Sequence, residues 1–245
     1  LGVRVPICGT NIMCSPAMMA SWEPLDYTDT HAYWDHPRYE RGREKWIHNR
    51  AMVQADPIEE ATLPARLAMA KVAGKPAVIT EWNSVWPNQW RAADTAMVPA
   101  YALLNDLAII YIYCYMGGWG LGPDNVKPKI HHGTVIFSDP AETGLFPALA
   151  LMYRRGDISP GRNVVEMGIS GVDTYLARKM FTCDGDFQHF VPLICRWQSK
   201  LFDQRYRPSP GVSLTIPSGF SATGDYRAAR RLLPVSYTHL TLPTN

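Results

Sequence analysis

Short apolar runs alternate with segments of helical spacing over residues 1–157, and this alternation predicts parallel βα units. The run 106–115 is apolar enough for a strand buried on both faces. The predicted strands lie at residues 3–11, 25–37, 77–80 and 106–115. The predicted helices reach Ala73 from a start at Asp56 or Thr62, and cover residues 90–105 and 145–153. Pro99 should kink or shorten the second of these helices.

The stretch 75–88 carries one carboxylate, Glu81, at the end of an apolar run. Regular strand alternation would place Ala77, Ile79 and Glu81 on one face. A glutamate in that position is costly to bury unless it is paired or used in chemistry. Alternatively, Glu81 is a helix-cap partner or a surface residue. The residues on the neighbouring strands distinguish these possibilities.

Polar side chains share a face in the strand predicted before it. Alternation within residues 25–37 places Tyr27, Asp29, His31 and Tyr33 together. A histidine and a tyrosine there can be satisfied polar residues at the edge of the core, or they can serve a carboxylate on the next strand. A hydrogen-bond donor aimed at a carboxylate favours its ionised form.

Composition and charge exclude several classes of function. The net charge is +2 and the basic residues are scattered, which predicts no nucleic-acid partner. The longest apolar stretch, 107–119, is too short to span a bilayer, and no signal peptide is visible in a sequence that opens on Leu. Five cysteines without a C-x-x-C pair predict buried thiols rather than a disulfide framework. Adjacent side chains point apart, so His131 and His132 are not expected to share a metal ion. No metal and no cofactor is predicted.

The motif Lys-Pro-x-x-Ile-Thr-Glu-Trp-Asn of residues 75–83, preceded by His31-x-Tyr33 and followed by the run 106–119, resembles the clan A retaining glycoside hydrolases. This superfamily includes cellulases, mannanases and β-galactosidases. The resemblance covers residues 1–157 and implies an α/β fold, the C-terminal half (strands five to eight) of a (β/α)8 TIM barrel.

The resemblance also implies roles for individual residues. Glu81 is expected to be the nucleophile, Tyr33 to orient it and keep it ionised, and His31 to lie near the sugar. Trp119 is expected to form the floor under the reacting sugar, with Tyr115 as the second candidate. The expected substrate-binding residues are Asn11, Trp34, Trp82, Asn83, Trp86, Tyr115 and Trp119.

Retention requires a second carboxylic acid about 5 to 5.5 Å from the nucleophile. In this clan it is the Glu of an Asn-Glu pair on the fourth strand, and the sequence contains no such pair. The chain is therefore expected to be a fragment of a retaining β-glycoside hydrolase that acts on poly- or oligosaccharides, inactive alone and poorly folded because its sheet edges are open. The full-length protein is expected to be secreted or periplasmic.

Beyond the barrel, residues 158–233 are predicted to form a β-rich accessory segment, with strand-like runs at 164–167, 174–177, 189–195 and 212–216. Residues 234–245 resemble translated sequencing adaptor. Two other functions stay open. One is a non-catalytic carbohydrate-binding barrel whose tryptophans stack on sugars, and the other is a metal-dependent barrel hydrolase, which would need a His-x-His or His/Asp cluster.

Overall fold

The computed structural model describes residues 2–11, 15–34, 62–86, 88–116, 134–137, 139–171 and 191–216. The helices are α1 (Pro16–Trp22), α2 (Thr62–Met69), α3 (Arg91–Leu104), α4 (Pro140–Thr143) and α5 (Phe146–Arg155). The strands are β1 (Thr28–Trp34), β2 (Ala77–Ser84), β3 (Ile109–Ile112), β4 (Val164–Ser170), β5 (Arg196–Phe202) and β6 (Leu214–Ile216).

Strands β1, β2 and β3 form a parallel sheet in chain order. Helix α2 lies between β1 and β2 in the chain, and α3 lies between β2 and β3, so the predicted βα alternation is confirmed here. Helix α3 continues through Pro99 without being shortened. Helix α2 ends at Met69, four residues before the predicted end, and the proposed start at Asp56 lies outside the described residues.

Strand β2 contains one more residue than its neighbours between Ile79 and Trp82. The partner of Thr30 is Ile79 while that of His31 is Glu81, and β3 shows a shift over the same part of β2. An extra residue in one strand reverses the side-chain alternation beyond it. The predicted common face of Ile79 and Glu81 is therefore wrong. Ile79 packs in the core with Trp82, whereas Glu81 turns to the opposite face of the sheet.

The predicted strand at residues 3–11 is also wrong, because this segment has no strand conformation. Its alternating apolar residues Val3, Val5 and Ile7 are exposed rather than packed on a sheet. The backbone of Ile7 bonds instead to Asp26, whose Oδ2 accepts from the Ile7 N–H at 2.8 Å and whose N–H donates to the Ile7 carbonyl at 2.9 Å.

Strand β3 is shorter and less buried than its sequence predicts. It covers four residues, with Ile109 41% and Tyr111 56% exposed, rather than being buried on both faces. Within the described part of the chain its only strand partner is β2, so one edge and part of one face are uncovered.

Strands β4, β5 and β6 form a second parallel sheet in the order β5-β4-β6. Two of the predicted runs, 164–167 and 212–216, overlap β4 and β6. The run 189–195 was predicted one element too early, since residues 191–194 are helical and β5 follows from Arg196. The run 174–177 and the tail 234–245 lie outside the described residues.

Helix α2 connects the two sheets through its two faces. Leu63 and Leu67 pack with Ile79 in the core of the first sheet, while Ala68 and Met69 pack in the core of the second. Backbone hydrogen bonds strengthen this junction, because the Ser199 N–H donates to the carbonyl of Lys71 and the Ser199 carbonyl accepts from Ala73, both at 2.8 Å. The segment after residue 158 therefore packs on the same helix as the first sheet, with a core of its own.

A buried carboxylate fixes the chain after β5. Glu166 of β4 accepts hydrogen bonds from Gln198 Nε2 at 2.6 Å, the Tyr206 hydroxyl at 2.7 Å and the Ser209 backbone N–H at 3.0 Å. Burial raises the pKa of Glu166, but these hydrogen bonds outweigh burial and leave the pKa below its ordinary value.

Candidate active site

The predicted catalytic residues lie on neighbouring parallel strands. His31 and Tyr33 are in the second half of β1, and Glu81 is in the second half of β2. The register pairs His31 with Glu81 across the two strands. Because both strands run in the same direction, all three side chains come together toward the carboxyl end of the sheet.

Two side chains converge on a single oxygen of Glu81. The Tyr33 hydroxyl donates a hydrogen bond to Oε2, and His31 Nδ1 lies 3.3 Å from the same atom. The Glu81 side chain is 30% exposed and that of His31 is 12% exposed. The carboxylate is therefore held from the protein side while part of it stays accessible from solvent.

The second ring nitrogen of His31 contacts Thr80, which in turn bonds to Asp29, and neither residue was predicted to have a role at the site. Nε2 lies 2.6 Å from Thr80 Oγ1, and that hydroxyl donates to Asp29 Oδ2 at 2.7 Å. The Thr80 backbone N–H also donates to Asp29 Oδ1 at 3.0 Å. Asp29 was detectable because it shares a face with His31 and Tyr33, whereas Thr80 was expected on the face opposite to Glu81, and only the extra residue in β2 brings the two onto one face.

Burial and the charge of Glu81 disfavour further anions around the site. Burial, followed by the hydrogen bond to Glu81, raises the pKa of Tyr33 far above its ordinary value. Burial and nearby charges that include Glu81 also raise the pKa of Tyr113, whose ring meets that of Tyr33 edge-on at 6.5 Å. Burial raises the pKa of Cys114, with the Glu81 charge adding to it and a hydrogen bond to Thr134 opposing it. Tyr33, Tyr113 and Cys114 therefore stay neutral beside Glu81.

Two of the predicted sugar-binding tryptophans belong to the core. Trp34 is 5% and Trp82 is 2% exposed, and both pack in the cluster that contains Ile79. They lie on the opposite face of the sheet from Glu81, because Trp34 alternates with Tyr33 and Trp82 alternates with Glu81. Their assignment as substrate-binding residues is corrected accordingly.

Asn83 has a structural role instead of the predicted contact with substrate. It is 1% exposed, and its Nδ2 donates to the carbonyl of Tyr113 at 2.7 Å and to that of Thr134 at 2.9 Å. Its amide therefore connects the end of β2 to the segment after β3 and to the turn at Thr134. Both amide protons are used in the interior, which corrects the expectation that Asn83 binds sugar.

The other predicted binding residues have different surroundings. Tyr115 is 56% exposed and meets the ring of Phe137 edge-on at 5.5 Å, so its hydroxyphenyl face is available for contact. Trp86 follows β2 and is partly buried, and Asn11 is partly buried in the irregular segment before α1. Trp119 lies outside the described residues.

The described residues contain neither a metal site nor a membrane-spanning helix. Within the described ranges, no three His, Cys, Asp or Glu side chains gather in a way that could hold a metal ion. None of the helices in this part of the chain is long and apolar enough to cross a membrane.

Comparison of the chain with protein-family models, with curated proteins and with solved structures finds no match. The interpretation of the site therefore depends on its geometry and on the strand-end motifs of the sequence.

Proposed function

We propose that this chain is part of a retaining β-glycoside hydrolase that acts on poly- or oligosaccharides, with Glu81 as the nucleophile. The observation that supports this proposal best is the convergence of His31 and Tyr33 on Oε2 of a partly exposed glutamate at the carboxyl end of parallel strands. Carboxyl ends of barrel strands are where catalytic groups gather in this kind of fold. A buried anion serving stability alone would not need an accessible face.

The chemistry follows from the two oxygens of Glu81. Tyr33 and His31 both contact Oε2, so attack through Oε1 leaves these contacts in place during the reaction. Oε1 forms a bond to the anomeric carbon while the glycosidic C–O bond breaks and the leaving oxygen takes a proton from a carboxylic acid. A water molecule, deprotonated by that same group, then attacks the anomeric carbon, releases the sugar and restores the Glu81 carboxylate.

Tyr33 and His31 act on the charge of Glu81 rather than on the sugar bond. A nucleophilic carboxylate has to be ionised, and hydrogen bonds donated to it stabilise the anion. Tyr33 is suited to this role because its raised pKa keeps its hydroxyl proton in place next to a negative charge. The proton donor for the leaving group is proposed to come from an Asn-Glu pair outside these 245 residues, and the chain alone is then inactive.

The proposal is tested with the product of the complete gene from the source DNA. Glu81→Gln keeps the shape of the side chain and removes the nucleophilic charge, and Glu23→Gln makes the same change at an exposed position. Turnover of aryl β-glycosides should be lost in the first variant and kept in the second. A fluorosugar substrate with slow deglycosylation should add one sugar mass to the peptide that contains Glu81.

Three outcomes distinguish the candidate functions. Loss of turnover with intact sugar binding in Glu81→Gln supports the nucleophile. Sugar binding by the complete gene product without turnover of any glycoside favours the non-catalytic carbohydrate-binding protein. Turnover that survives Glu81→Gln excludes Glu81 as the nucleophile.

A further inference from the structure

A chain of hydrogen bonds continues from Glu81 through His31 to Asp29, beyond the groups that the proposed reaction uses. It consists of Asp29, Thr80, His31 and Glu81, in that spatial order. Asp29 is only 4% exposed, so its charge has to be satisfied inside the protein. Thr80 supplies two donors to it, the backbone N–H and the side-chain hydroxyl.

The number of protons available fixes the direction of these bonds. An ionised Asp29 can only accept, and the Thr80 hydroxyl has a single proton, which it donates to Asp29. Thr80 Oγ1 can then take part in the 2.6 Å contact with His31 only as an acceptor. His31 Nε2 must therefore carry a hydrogen, and Nδ1 is the nitrogen that faces Glu81.

The extra residue in β2 makes this arrangement possible. In a regular strand, Thr80 and Glu81 would point to opposite faces of the sheet. The register shift lets both meet the same imidazole, one at each ring nitrogen. Bulges commonly redirect side chains next to functional sites.

We propose that Asp29 and Thr80 are positioning residues that fix the ring orientation of His31 and keep a hydrogen on Nε2, so that Nδ1 is always the nitrogen that faces Glu81. The consequence for catalysis depends on the proposed function, whereas the tautomer does not. With the ring fixed in this way, a second proton taken up by His31 sits on Nδ1, where it can donate to Oε2 beside the Tyr33 hydroxyl.

The tautomer is read directly by NMR of protein labelled with ¹⁵N-histidine. Two-bond correlations between ring carbon protons and nitrogens show which nitrogen carries hydrogen, and a His31→Gln spectrum assigns the signals among the seven histidines. At about pH 8.5, where ordinary imidazoles are neutral, wild type should show a protonated Nε2. Thr80→Val, which lacks the hydroxyl, should show both tautomers, and Thr80→Ser should restore the wild-type pattern.

Asp29→Asn gives a sharper test because it should reverse the donor–acceptor direction of the hydrogen bonds from residue 29 through Thr80 to His31. Its amide oxygen must face the Thr80 N–H, which places the amide NH2 against the Thr80 hydroxyl oxygen. The hydroxyl then donates to His31 Nε2, and the ring proton moves to Nδ1. A wild-type pattern in both Asp29→Asn and Thr80→Val would overturn the proposal.

Kinetics of the complete gene product separate this inference from the proposed function. Thr80→Val should lower kcat about 10-fold with little change in KM, as expected for the loss of one hydrogen bond that positions His31 against the nucleophile, and Thr80→Ser should recover most of the loss. If Thr80→Val shifts the tautomer of His31 but the complete gene product shows no turnover, the positioning role is supported and the glycosidase proposal is contradicted. Full turnover in Thr80→Val would overturn the positioning role.

Discussion

Glu142 is a buried carboxyl whose ionisation should make the protein less stable as the pH rises. It lies in α4 and is 2% exposed. The nearby cation, Arg91, is already engaged by Asp139, with Nε 2.5 Å from Oδ2 and Nη2 3.2 Å from Oδ1. Glu142 Oε1 lies 3.9 Å from the same Nε. Burial, followed by the charge of Asp139, raises the pKa of Glu142 from 4.5 to about 8 despite Arg91.

The sign of the effect follows from proton linkage. Below pH 4.5 Glu142 is protonated in both the folded and the unfolded chain. Its contribution to the free energy of unfolding is most favourable there. Between 4.5 and about 8 the unfolded chain releases the proton while the folded chain keeps it, so the free energy of unfolding falls with rising pH. The slope is roughly 1.4 kcal/mol per pH unit, which amounts to about 5 kcal/mol over the whole interval.

Glu142→Gln removes this titration and keeps the shape of a neutral carboxyl. We expect the variant to match wild type near pH 4.5 and to become more stable than wild type as the pH rises toward 8. The full 5 kcal/mol is comparable to the total stability of a small domain, so the slope between pH 5 and 7 is the quantity to measure.

Urea unfolding followed by tryptophan fluorescence, at half-unit steps of pH, gives that slope. Glu23→Gln provides the matched control, since Glu23 is exposed and its substitution should leave the pH profile of wild type in place. Parallel stability profiles for wild type and Glu142→Gln would refute the reasoning, because they would mean that Glu142 is ionised in the folded chain at neutral pH.

Three further predictions concern the second sheet and the candidate site. Glu166→Gln should lower the urea midpoint at pH 7, and the difference should shrink below about pH 4.5, because the lowered pKa of Glu166 stabilises the fold only while the group is ionised. Gly168→Ala should lower the melting temperature by the equivalent of about 1–3 kcal/mol, since its Cβ would lie 2.7 Å from Tyr206 Cδ2, and an unchanged melting temperature would contradict that contact. Tyr33→Phe should reduce kcat of the complete gene product about 10- to 100-fold, the loss of one charge-assisted hydrogen bond. Exposed Tyr111→Phe is its control, and an equal effect in both variants would count against the role of Tyr33.

Local pattern together with the family resemblance pointed to the three residues that the structure brings into contact. Alternation grouped His31 with Tyr33, and the end of an apolar run singled out Glu81. The second sheet was harder to predict because β5 combines buried Trp197 and Ser199 with Arg, Gln and Lys on the intervening positions. Its burial arises from packing against α2 and from backbone bonds to Lys71 and Ala73, contacts between residues far apart in the sequence.

The strand predicted at residues 3–11 was wrong for the opposite reason. Its pattern of Val3, Val5 and Ile7 is typical of a strand, yet a strand is stable only when a neighbour takes up its backbone hydrogen bonds. In the described part of the chain the backbone of Ile7 bonds to Asp26 rather than to a neighbouring strand, and the apolar side chains stay exposed. Periodicity reports which face could be buried, not whether a partner is present.

The extra residue in β2 reconciles the core with the site. Ala77, Ile79 and Trp82 pack in the core cluster of the first sheet, but two have odd numbers and one has an even number, so a regular strand cannot place all three on one face. A regular strand would also place Glu81 in the core beside Ile79, where an unpaired carboxylate is strongly unfavourable. One added residue between Ile79 and Trp82 removes both conflicts. It buries the tryptophan and turns Glu81 toward the histidine that Thr80 already faces, so the demands of the core and the geometry of the site are met by a single irregularity.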